Sequence, residues 1–190
     1  MKEIWLRTDE RKDVVASLHM VSDSCDSVLS DLSAWKWIVL GTHSALQAAI
    51  TLHLSLGNHL LVARPEDATA WLRAHRNGEL YPESKMDDFL SLYKKLKKHE
   101  IVGYRFKPNG TQGCHIRRLN SLRNQFVHFM PQGWSIDVSC IPQMCVDCLD
   151  IVSQLGQRTR WENDEQYLEF GEIFRQCNSK LSTLHSAYAR

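Results

Sequence analysis

The stretch Glu10-Arg-Lys-Asp-Val-Val-Ala-Ser-Leu-His-Met-Val-Ser-Asp-Ser-Cys-Asp-Ser-Val-Leu-Ser-Asp-Leu32 decides the fold class. Val14, Leu18, Val21, Cys25, Val28 and Leu32 step by four and three residues in alternation, which aligns them along one side of a helix. The same period recurs almost throughout the 190 residues. Asp31 or Ser33 is placed to cap a second helix that turns Ile38, Ala45, Leu46, Ala49, Leu52 and Leu56 inward and ends at Gly57-Asn58. Pro65 suits the first turn of a short third helix, with Glu66 and Asp67 near its positive end. Trp71 and Leu72 are its expected buried residues, and Asn77-Gly78 closes it. Ser84 with Asp87 resembles a capping box before a helix carrying Phe89, Leu90, Tyr93 and Leu96.

The expected helix at about Cys114–Phe129 must stop before Pro131. Another runs from about Ile141 or Pro142 to Leu155. A last helix, about Trp161–Tyr188, aligns Tyr167, Phe170, Phe174, Cys177, Leu181, Leu184 and Tyr188. Strand signals are nearly absent. Val102–Cys114 is rich in Gly and contains Pro108, so it reads as a loop with a brief hairpin around Lys107-Pro108-Asn109-Gly110. We expect one domain over residues 1–190, an all-α antiparallel helical bundle of five to seven helices. The first and last helices should pack side by side, although a dimer seam would show the same spacing.

The totals exclude several classes. Apolar content is 43%, charged content 24% and formal net charge +1, as in ordinary soluble proteins. The most apolar run, Trp35–Leu56, is interrupted by Lys36, His43, Gln47 and His53, which argues for a buried helix over a membrane span. The N-terminal run lacks an apolar signal core, so a cytoplasmic location with reduced thiols is expected for the six Cys. Cys145-x-x-Cys148 lacks two further ligands at zinc spacing and reads as packed thiols on a helix. No metal or other cofactor is expected.

Charge is uneven along the chain. Lys94, Lys95, Lys97, Lys98, Arg105, Lys107, Arg117, Arg118 and Arg123 face only one acid, Glu100, between Lys94 and Arg123. This suits a phosphate-bearing partner, although a solvated helix face would have the same composition. The basic run leads into Leu122-Arg-Asn-Gln-Phe-Val-His128. On a helix Asn124 and His128 lie about 40° apart, and Arg123 about 140° from His128 with a side chain long enough to bend toward it. An imidazole, an amide and a guanidinium near a helix end suit RNA phosphodiester cleavage. The imidazole can take the proton of a ribose 2′-OH, and the guanidinium can hold the phosphate and its developing charge. Phe126, Phe129 and Trp134 either seal this helix against the core or stack on a base.

Arg123-Asn124-x-x-x-His128, late in an all-helical chain, resembles the signature of the HEPN superfamily. The run Leu122–Ser135 resembles a bacterial branch of it. The resemblance implies a helical bundle that dimerises, with two motif helices forming one composite cleft. It implies a metal-independent ribonuclease leaving a 2′,3′-cyclic phosphate, as in toxin–antitoxin and phage-defence systems. Arg123 and His128 would be the catalytic pair, Asn124 their polar neighbour, and the upstream basic residues the RNA path. The modifiable Tyr that follows the His by two residues in one toxin type is absent, since Phe129 and Met130 follow His128. The resemblance also admits a non-catalytic module binding RNA, a nucleotide or a protein such as an antitoxin. A helical interaction protein using only its apolar seams is a third reading.

Overall fold

The computed structural model describes residues 4–55, 59–128, 131 and 133–188. Among these, seven helices make up the fold: α1 (Glu10–Ser27), α2 (Ala34–Leu54), α3 (Pro65–Asn77), α4 (Phe89–Lys98), α5 (Gln112–Val127), α6 (Ile141–Gly156) and α7 (Asp164–Tyr188). Sheet pairing among the described residues is limited to two isolated bridges, Ala63–Met86 and Ile101–Tyr104. The chain is therefore all-α, as its periodicity indicates. No described helix is long and apolar enough to cross a membrane.

α2 is the axis of the bundle and packs against α1, α4, α5 and α6. Its period fails to show a single stripe because Trp35, Ile38, Val39, Thr42, Ala45, Leu46, Ala49 and Ile50 are buried on several sides; a helix covered on several sides is apolar nearly all round. α1 lies antiparallel to it and very close. A Cβ on Gly41 would come within 2.8 Å of Val21 and 2.9 Å of the Ser17 carbonyl. α7 closes the other side of α1, as the two seams suggest. Arg11 donates to the Arg160 carbonyl at 2.8 Å, the Cys177 thiol to that of Leu18 at 3.1 Å, and Lys180 pairs with Asp26 at 2.7 Å. These pairs rise together along both helices, so α1 and α7 run parallel.

Three local readings differ from the structure. α1 ends at Ser27 and not at Leu32. The hydroxyl of Ser30 bonds the Ser27 carbonyl, and Asp31 accepts from both the N–H and the hydroxyl of Ser33. Such short polar side chains compete with the helical ladder, and they leave Leu29 69% and Leu32 60% exposed. α4 is capped by Asp88, which accepts from the Ser91 N–H at 3.0 Å, and not by the Ser84–Asp87 pair. The tight turn of the long loop forms at Ile101–Tyr104, where Val102 (φ 48°) and Gly103 (φ 73°) both take positive φ, and not at Lys107–Gly110. Phe106 then inserts into the core beside Tyr93 and fixes the loop. The expected end of α2 at Gly57-Asn58 lies outside the described residues.

α3 has its expected limits, Pro65 in the first turn and Gly78 in the left-handed conformation just after it. It packs against no other helix among the described residues. Ala74 is its only buried residue; Leu72 is exposed and Trp71 half-buried, which corrects the expectation that Trp71 and Leu72 are core.

Candidate functional site

α5 carries the motif, and its two ends are treated very differently. Ile116, Leu119 and Leu122 bury one face. At the N-terminal end Asp147 of α6 accepts from Thr111 at 2.9 Å, His115 at 2.7 Å and Gln143 at 2.7 Å. Gln112, buried beside them, reaches the Asp147 carbonyl at 3.4 Å. A carboxylate bonded by three side chains holds the start of α5 in register against α6. The other end is open. His128 is the C-cap, its N–H bonded to the Asn124 carbonyl at 2.8 Å, and its side chain is exposed. The helix stops there, before Pro131, as the sequence requires.

Arg123 is half-buried and Asn124 exposed; the guanidinium donates to the Asn124 side-chain oxygen at 3.0 Å. Among the described residues no carboxylate forms an ion pair with Arg123, and the His128 ring has no hydrogen-bond partner. The motif cation is thus neither neutralised nor locked to buried acid. Among the described residues no hydrogen bond joins Arg123 to His128. Phe126 packs on Trp134 with ring centroids 5.1 Å apart, so Trp134 lies back against α5. Phe126 packs against the core as a sealing ring would, whereas Trp134 covers it from outside and stays 38% exposed; Phe129 lies outside the described residues.

Two polar residues of the site were not singled out by sequence. His43 of α2, only 5% exposed, meets Asn120 with Nε2 and Oδ1 3.3 Å apart. An amide oxygen only accepts, so Nε2 carries the proton in this arrangement. Burial pushes the imidazole down to about 4; the Asn120 bond opposes this and the positive charge of Arg123 adds to it. His43 is therefore neutral at ordinary pH, its ring against Phe89 at 4.1 Å. Asn120, Arg123 and Asn124 stand at i, i+3 and i+4, one side of α5. His43 thus backs that polar stripe from inside the bundle. Asn120 was legible from this spacing, whereas His43 was hidden in an apolar helix.

The basic residues divide. Lys95 is structural: its ammonium bonds the largely covered Asp87 carboxylate at 2.8 Å and the carbonyl of buried Ala63 at 2.7 Å. Lys97 lies over the Tyr93 ring at 4.6 Å, and Arg117, bonded to the Cys114 sulfur at 3.3 Å, also acts on Tyr93 through its charge. Both cations thus lie around Tyr93, where α4 packs on α5. Lys94, Lys98, Arg105 and Lys107 are exposed. Arg118, also exposed, lies instead beside Asp137 at a shallow hollow of about 230 Å³ with Ser121 and Gln125.

The six thiols are free. Cys145 and Cys148 are fully buried in α6, packed as read from sequence, and burial pushes Cys145 up to about 12. Among the described residues no group of three or more His, Cys, Asp or Glu is arranged to hold a metal ion.

No family model matches the chain, and no curated protein and no solved structure matches it significantly. The resemblance to the HEPN superfamily accordingly rests on the Arg123–His128 motif and its helical setting.

Proposed function

We propose that this chain is a metal-independent endoribonuclease acting as a homodimer, in which two motif helices meet and each contributes Arg123, Asn124 and His128 to one cleft. His128 takes the proton of a ribose 2′-OH as that oxygen attacks the adjacent phosphorus. Arg123 stabilises the charge gathering on the phosphoryl oxygens. A second imidazole, the partner's His128, returns a proton to the leaving 5′ oxygen. The products are a 2′,3′-cyclic phosphate and a 5′-hydroxyl. Asn124 orients Arg123, and Asn120 with neutral His43 supports the stripe from behind. Lys94, Lys97, Lys98, Arg105, Lys107 and Arg117 guide the RNA backbone, a salt-sensitive attraction.

The observation that carries this reading is the state of the motif: Arg123 reaches solvent without a carboxylate partner, and His128 stands exposed at the helix end. The test is RNA cleavage by wild type against His128→Ala and Arg123→Ala, with and without EDTA, alongside sedimentation to establish the dimer. A second reading is favoured by the guanidinium's bond to Asn124. On that reading the cleft binds RNA, or an antitoxin-type protein, without cutting. Binding that survives while cleavage is absent in the wild type would select it.

A further inference from the structure

α3 stands apart from the bundle, held through its ends. The Arg64 N–H bonds the Lys85 carbonyl at 3.0 Å, and the Lys85 N–H bonds Asp67 at 2.8 Å. After the helix, Gly78 at φ +67° reverses the chain, and the Glu79 N–H returns to the Ala74 carbonyl at 2.9 Å. The reversal lays Tyr81 back over the helix. Trp71 and His75, at i and i+4, share one side of α3. Their rings stack at 5.4 Å and 15°, and Trp71 stacks on Tyr81 at 4.4 Å and 6°. His75 and Tyr81 are joined through Nδ1 and the hydroxyl at 3.0 Å, with planes 21° apart. The result is a His75–Tyr81 pair, nearly in one plane, with the Trp71 indole as its backing.

A cluster that served only to seal the core would turn these rings inward. None of the three belongs to the core, and His75 is exposed. Tyr81 keeps 55% of its surface exposed although Trp71 covers one of its faces; the opposite face must be open to solvent. Arg73 and Arg76, both exposed and without an ion-pair partner among the described residues, lie on the same helix. The acid that follows, Glu79, accepts from Asn77 at 2.9 Å.

From this geometry we infer that the His75–Tyr81 plane is a stacking platform for an unpaired nucleobase of a single-stranded nucleic acid, with Arg76, one position beyond His75, serving an adjoining phosphate. Flatness, width and an open face are what base stacking needs, and stacking tolerates any base. A protein partner would be met by a groove or an apolar stripe, whereas here the ring plane is flat and open on one face. The platform lies on α3, away from the α5 motif, and does not depend on cleavage.

The test uses a fluorescein-labelled 2′-O-methyl oligoadenylate, which lacks the free 2′-OH and so cannot be cut by 2′-OH attack. Anisotropy and intrinsic tryptophan fluorescence of the full chain are followed together. Wild type should bind with quenching. Tyr81→Ala should weaken binding roughly 5- to 150-fold, the range for loss of one base–aromatic stack, and should abolish much of the quench. Tyr81→Phe should retain both. If Tyr81→Ala melts early, His75→Ala at an exposed position decides. The inference is overturned if wild type does not bind, if Tyr81→Ala and His75→Ala bind as wild type, or if those variants alter self-association and not oligonucleotide binding. Platform-dependent binding without cleavage of natural RNA would sink only the ribonuclease reading; cleavage with platform-independent affinity would sink only this one.

Discussion

Acidification should destabilise the fold through His43. In the folded chain burial holds its imidazole at about 4, against an ordinary value of 6.5. Between those values the unfolded chain binds a proton that the folded chain refuses, so stability rises with pH across the window. The contribution is complete above pH 6.5 and is lost as pH falls toward 4. At about 1.4 kcal/mol per pH unit, the interval amounts to about 3 kcal/mol. His53 is lowered in the same direction by its own burial, so wild type alone would blend the two. His43→Gln keeps an amide donor for Asn120 and removes the titration. Urea unfolding of both proteins from pH 7.5 to pH 4 gives the difference between them, in which His53 cancels. That difference should shrink by about 3 kcal/mol over the range. A flat difference, or one that grows as pH falls, would refute the reasoning. So would a His43 ring resonance titrating near 6.5.

Three further outcomes follow from packing. Gly156→Ala drives a Cβ into the Phe170 ring; overpacking of this kind costs roughly 1–3 kcal/mol, and at about 2–4 °C per kcal/mol for a chain of this size the melting temperature should fall by several degrees. Native protein should react with a thiol reagent at exposed Cys114 and Cys140. Cys25, Cys145 and Cys177, pushed up to about 12 by burial, should react only on unfolding, as should buried Cys148. Lys95→Ala should destabilise by roughly 1–3 kcal/mol because it strands the half-buried Asp87 and the Ala63 carbonyl. Lys94→Ala and Lys98→Ala should leave stability within about 0.5 kcal/mol and instead flatten the salt dependence of RNA binding.

Helix identity was legible because burial leaves its period in the sequence. The α1 and α7 seams, the Pro65 start, the Gly78 stop and the Pro131 break all have local causes. What was lost has physical reasons too. Leu32 continues the seam of α1 on paper, but Ser27, Ser30, Asp31 and Ser33 bond one another and end the helix first. Trp71 and Leu72 are apolar without being core, since no helix among the described residues covers α3. In the candidate site, the sequence placed Arg123, Asn124 and His128 at the end of one helix, and the charge count flagged the basic segment. Charge alone could not distinguish Lys95, consumed by Asp87, from Lys94 one position earlier. His43 lies 77 positions from Asn120, and only the packing of α2 against α5 brings them together.

The central claim is that exposed His128 and unpaired Arg123 cut RNA without a metal. The most direct measurement is cleavage of a defined single-stranded RNA by the purified protein in EDTA, with the new 3′ end identified by mass. Wild type should leave a 2′,3′-cyclic phosphate, and His128→Ala, folded as wild type, should lose the activity by at least the roughly 10²-fold typical of a general base. Intact RNA with dimeric wild type, or equal cleavage by His128→Ala, would contradict it.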